Sequence, residues 1–165
     1  MLTPTETQLL LNLAPTNIKP YLVLAVYAGI RPNEILKLNW NQIDLATCTV
    51  RINEAKTRQR RIVPLEPRPA SLLEPFSKSE GLLAPSKGTV RKFQRIARDT
   101  LGWKSWPKDL LRHTAASYLL AKHSDAGKVS LMLGNSPKIL LAHYYEPVNH
   151  ADCAEFWRLP EKPTR

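Results

Sequence analysis

The chain has 165 residues, 43% hydrophobic and 23% charged, a mix that suits one globular domain and excludes collagen-like, coiled-coil and wholly disordered chains. Its formal net charge is +10, and the excess is uneven: residues 51–112 hold 15 Lys and Arg against 6 Asp and Glu. A basic excess packed into the middle of a globular chain points to a polyanion, nucleic acid before an anionic membrane surface.

Thr3, Pro4 and Glu6 supply an N-cap, an N1 proline and an N3 acid, so a first helix opens there and carries Leu9, Leu10 and Leu13. A second, buried helix is predicted from Lys19 to Ala28, stopped by Gly29. Arg31 follows the break, and Pro32 opens a short helix over Asn33 to Leu38. Alternating β-branched and polar residues from Thr47 to Asn53 predict a strand, with Arg60 to Leu65 as its antiparallel partner and EAKTRQ as the hairpin loop. Four prolines between 64 and 75 exclude a long helix, so only Ser71 to Phe76 is expected to wind, with loop from Lys78 to Pro85. Gly88 to Leu101 reads as an amphipathic helix, with Val90, Phe93, Ile96 and Ala97 inward and Arg91, Lys92, Arg95 and Arg98 outward. Further helices are expected over Asp109 to Ala121, from a Ser124–Asp125 cap to Gly134, from Pro137 through Leu141 or beyond, and from His150 to Leu159. The tail after Pro160 is expected to be disordered.

The fold class expected is α+β, mainly helical with a small antiparallel sheet, in one domain: a core over about 1–148, a C-terminal helix over 149–159 and a tail over 160–165. The longest apolar run, Tyr21 to Ile30, is too short to span a bilayer, and no signal-peptide pattern opens the chain, so a cytoplasmic location is expected. Cys48 and Cys153 make neither a metal-ligand spacing nor a disulfide framework. No metal or other cofactor is expected.

Four segments stand in order: GIRPNEILKLNW from Gly29, KTRQRRIVPL from Lys56, LLRHTAASYLLA from Leu110 and LGNSPKILLAHYY from Leu133. Their order and spacing resemble the catalytic domain of the tyrosine recombinases, the phage integrase family, from about Tyr21 to Val148. The resemblance implies that Arg31, supported by Glu34, and Arg112 are the two arginines of the site. It implies that Lys56 is the catalytic lysine and Tyr144, nine residues after Asn135, the nucleophile. It further implies site-specific cutting and rejoining of double-stranded DNA through a 3′-phosphotyrosine.

Two positions depart from the pattern: Asp109 stands where the family usually has histidine, and Asn135 where it has histidine or tryptophan. His113 and His143 are the residues that could substitute. Two alternatives stay open: a DNA-binding module of the same fold with impaired chemistry, and topoisomerase-like relaxation.

Plain structural readings stand beside these roles. Asn135 and Ser136 could simply cap a helix. His113 could be a core or supporting residue. Lys56 could be a solvated loop charge. Tyr145 is the alternative nucleophile. Arg58, Arg60, Arg61, Arg91, Lys92 and Arg95 are candidate contacts to DNA phosphates, or a solvated face. An arginine in a helix as apolar as that of Arg112 calls for a charged partner or a ligand. Trp40, Trp103 and Trp106 read as packing residues.

Family members also carry an N-terminal DNA-clamping domain. The thirty residues before Arg31 leave no room for one, so the chain is expected to be the catalytic part alone, a fragment or a minimal protein. The protein is expected to be monomeric alone. Its C-terminal helix either docks on a neighbour on DNA or folds back in cis.

Overall fold

The computed structural model describes residues 1–53, 60–143 and 146–160. In chain order the elements are α1 (Pro4–Leu13), α2 (Lys19–Tyr27), α3 (Pro32–Ile35), β1 (Ile43–Asp44), β2 (Thr49–Asn53), β3 (Arg60–Pro64), α4 (Pro67–Leu73), α5 (Lys87–Thr100), α6 (Leu110–His123), α7 (Ala126–Leu133), α8 (Pro137–His143) and α9 (His150–Phe156). The α+β class expected from the sequence is the one found.

α2 is the spine of the core. Every residue from Pro20 to Tyr27 is buried, so it has no polar face and must be wrapped on all sides. α6 packs along it, α4 covers another flank, and a smaller core of Ala115, Leu119, Val129, Met132, Leu133 and Leu140 joins α6 to α7 and α8. The close approach of these layers is set at Gly29, which ends α2 at φ +60. A Cβ there would lie 2.4 Å from Leu133 Cδ2 and 3.0 Å from the Ala115 Cβ. Only glycine satisfies both the left-handed backbone and that contact.

The sheet is antiparallel in the order β1-β2-β3. Val50 opposes Val63, and both are buried, while Ile62 faces outward. Strand β1 was not expected. Two residues are too few to show alternation, and only pairing of Ile43 with Val50 defines the strand. β2 starts at Thr49 rather than Thr47 because the chain turns over Leu45–Cys48, with Cys48 at φ +51.

Other boundaries differ from expectation for local reasons. α4 begins at Pro67, earlier than the expected Ser71, since prolines in a first turn lose no intrahelical hydrogen bond; a 3-10 turn, Glu74–Phe76, follows. α3 is shorter than Asn33–Leu38, because Lys37 and Leu38 donate to carbonyls three residues back and tighten the winding. On α5, Val90, Phe93 and Ala97 are buried as expected, but Ile96 is 45% exposed. The buried stripe of this peripheral helix is narrow and leaves Ile96 outside it.

α9 folds back in cis. Phe156 is fully buried, stacked on Tyr118 with ring centroids 3.7 Å apart and tilted against Tyr27 at 4.9 Å. The following turn is tied down by Tyr27 Oη and Arg68 Nε, both donating to the Leu159 carbonyl. Phe156→Ala is therefore expected to lower the unfolding free energy by about 3–5 kcal/mol in urea titrations. Among the described residues no helix is long and apolar enough to cross a membrane.

Candidate active site

Two turns carry the site. The first runs from Gly29 to Arg31 between α2 and α3, and the second from Leu133 to Asn135 between α7 and α8. Arg31 is the N-cap of α3, and its backbone N–H donates to Glu34 Oε2 at 3.0 Å, so the R-x-x-E spacing is a capping arrangement as well as a charge pair. Across the gap, Arg31 Nη2 donates to the Gly134 carbonyl and to Asn135 Oδ1, each at 3.0 Å.

Arg112 projects from α6 between the same two turns. Its Nη1 donates to the Gly29 carbonyl, and its Nη2 to the Leu133 carbonyl at 2.7 Å. The side chain is 3% exposed. These two carbonyl dipoles help solvate the guanidinium where water cannot. Arg112 also borders a small cavity of about 140 Å³, with Tyr21, Ile30, Pro32 and Trp106 on its walls.

Asp109 lies on that cavity's lining, exposed and left-handed at φ +54 immediately before α6. Aspartate tolerates this conformation better than most residues. Its side chain makes no capping bond, and its carbonyl accepts from the His113 N–H.

Asn135 accepts from Arg31, and its Nδ2 is buried with no hydrogen-bond partner among the described residues. The capping role falls to Ser136, whose Oγ accepts from the Ile139 N–H. His113 is half-buried on α6. The Glu146 carboxyl is held below its usual range first by the hydrogen bond from the Met1 ammonium and more weakly by the charge of His113.

Glu34 has a second partner that the sequence did not suggest. Arg61 donates to it from both Nη atoms, at 2.7 and 2.8 Å, and this places Arg61 inward. Alternation along β3 would have revealed this, since Arg61 shares a face with buried Val63. On α5, Arg91, Lys92 and Arg95 are exposed, while Arg98 pairs with Asp99. Lys56, Arg58 and Tyr144 lie outside the described residues, as do Tyr145 and the hairpin loop. Arg60 is part of β3. Among the described residues no three His, Cys, Asp or Glu side chains are grouped to hold a metal.

Residues 1–150 match the model of the phage integrase family. The chain belongs to the phage integrase family. A tyrosine recombinase of Pseudothermotoga lettingae is 31% identical over 148 residues, which cover 82% of this chain and 52% of that protein. The tyrosine recombinase XerC of a Roseiflexus species is 28% identical, over 93% of this chain and 57% of its own length. The chain thus spans about half the length of the curated relatives it matches.

Among solved structures, the XerA recombinase superposes with a TM-score of 0.72 at 20% identity, over 94% of this chain and 63% of that one. The catalytic domain of bacteriophage HP1 integrase superposes with a TM-score of 0.71 at 19% identity, over 100% and 98% of the two chains. Both likenesses are of fold.

In this phage integrase family chain the Glu34 carboxyl is pushed up by burial. The hydrogen bonds and charge of Arg61, with those of Arg31, outweigh that and hold it below its ordinary 4.5. A carboxyl lowered in the folded state stabilises the fold above the unfolded value, and that contribution is lost as pH falls through the folded one. Stability in urea should therefore rise with pH through the acid range up to about 4.5, and Glu34→Gln should flatten that part of the curve.

Proposed function

We propose that the chain is the strand-cutting domain of a site-specific recombinase acting on double-stranded DNA through a 3′-phosphotyrosine. The observation that carries this reading is the anchoring of Arg31 and Arg112 on the same two turns, with Glu34 and Asn135 beside them. Two always-protonated, planar guanidiniums so arranged suit the nonbridging oxygens of a phosphodiester, where charge gathers in the transition state. Asn135 Nδ2, a buried donor with no partner among the described residues, stands beside them.

In the reaction, the Tyr144 phenol gives its proton to solvent water and its oxygen bonds to phosphorus. The bond from phosphorus to the 5′ oxygen breaks, and Lys56 protonates the leaving oxygen. The phosphotyrosine keeps the phosphodiester's energy, so a 5′ hydroxyl later reverses the step without an added energy source. Arg91, Lys92 and Arg95, exposed on α5, with Arg58 and Arg60, are proposed to contact the DNA backbone.

The test is covalent capture. A pool of nicked duplexes with randomised cores should yield a protein–DNA adduct that survives denaturing electrophoresis. Asp109, exposed and with no proton to donate when ionised, favours the second reading, a DNA-binding module of impaired chemistry. Binding of the same pool without any adduct would select that module. Relaxation of supercoiled plasmid without site preference would select a topoisomerase-like activity.

A further inference from the structure

The Glu34 carboxylate has two arginine claimants, and it is divided unequally between them. Arg61 meets it with both Nη atoms, at 2.7 and 2.8 Å, whereas Arg31 Nη1 stands 3.5 Å away. The Arg61 and Glu34 side chains are 17% and 12% exposed, and the Arg31 side chain is 38% exposed. A bidentate, mostly buried pair outcompetes a single long contact at a wetter site.

Arg61 is also fixed from behind. Its side chain lies flat on Gly134, where a Cβ would come within 3.1 Å of Nε, 3.2 Å of Cζ and 3.3 Å of Cδ. The glycine is left-handed at φ +65 and makes the room this packing needs. One side chain of β3 therefore touches Glu34 in the first turn of α3 and the turn that carries Asn135.

We infer that Arg61 is a positioning residue: by occupying the Glu34 carboxylate it keeps that charge from capturing the Arg31 guanidinium, which stays presented to the scissile phosphate. This rests on the function proposed above. Without Arg61, the carboxylate would pair with the nearest remaining cation, Arg31. The clamp would lose positive charge at the step where it is needed, while Arg31 itself stayed in place.

Two measurements on Arg61→Gln test this, with Arg61→Lys as the conservative variant. The first needs no catalysis: phenylglyoxal labelling of Arg31, followed by mass spectrometry, should slow several-fold in Arg61→Gln and recover in Arg61→Lys. The second is single-turnover cleavage of the captured duplex, which should fall about 100-fold with DNA affinity nearly unchanged. A scissile methylphosphonate, which lacks the charge Arg31 would neutralise, should shrink that deficit to a few-fold. Adding Glu34→Gln to Arg61→Gln should restore labelling and part of the rate, since the neutral amide exerts no such pull.

Unchanged labelling of Arg31 overturns the inference, whether or not the protein cuts DNA. So does a rate deficit equal on both substrates, or a loss of affinity that matches the loss of rate, which would make Arg61 a direct phosphate contact. A wild-type protein that forms no adduct sinks the function proposed above, and the labelling still decides the part played by Arg61.

Discussion

Tyr144→Phe is expected to abolish the covalent adduct on nicked duplex DNA while leaving DNA affinity and urea stability close to wild type. The substitution removes one oxygen, the atom that would bond to phosphorus, and keeps the ring. Removing the nucleophile of a covalent enzyme costs on the order of 10⁶ in rate, which places the product below detection on a denaturing gel. Tyr145→Phe serves as the internal control and should still form the adduct. The opposite pattern, with the adduct kept in Tyr144→Phe and lost in Tyr145→Phe, would move the nucleophile by one residue. Loss in neither variant would remove both tyrosines from the chemistry.

Arg112→Ala should damage the fold as well as the chemistry. The guanidinium joins the Gly29 and Leu133 carbonyls from within the protein, and alanine strands both acceptors in a site that is 3% exposed. Each buried acceptor left unmade costs about 1–3 kcal/mol, so a loss of roughly 2–6 kcal/mol is expected in urea titrations. Against a typical domain stability of about 5–15 kcal/mol, that is enough to leave part of the population unfolded at 37 °C. Arg112→Lys keeps a charge but cannot span both carbonyls with a rigid fork. It should recover part of the stability and little of the cleavage. A stable, fully folded Arg112→Ala protein would show that the two turns hold each other without the arginine.

Arg31 and Glu34 were singled out by the resemblance of their segment to the family, and the structure adds a local reason for their spacing: Glu34 accepts from the Arg31 backbone N–H at a helix start and also pairs with its guanidinium. Arg112 stood out because its helix is otherwise apolar. Arg61 was harder to read: Arg58, Arg60 and Arg61 look like one solvated run, and only the two-residue period of a strand separates Arg61 from its neighbours. The carbonyls of Gly29 and Leu133 carry no side-chain identity, so no residue pattern announces them as the seat of Arg112.

Ile96 was misassigned because helical periodicity gives the direction of an apolar face and not its width. The docking of α9 had two readings for a different reason. The apolar face bearing Phe156 is the same whether it seats on its own chain or another, and composition cannot tell the two apart.

The seat of that aromatic side chain has a consequence for the order of unfolding. Tyr118 and Tyr27 hold Phe156 on two sides within the main core, so α9 cannot detach without opening the packing between α2 and α6.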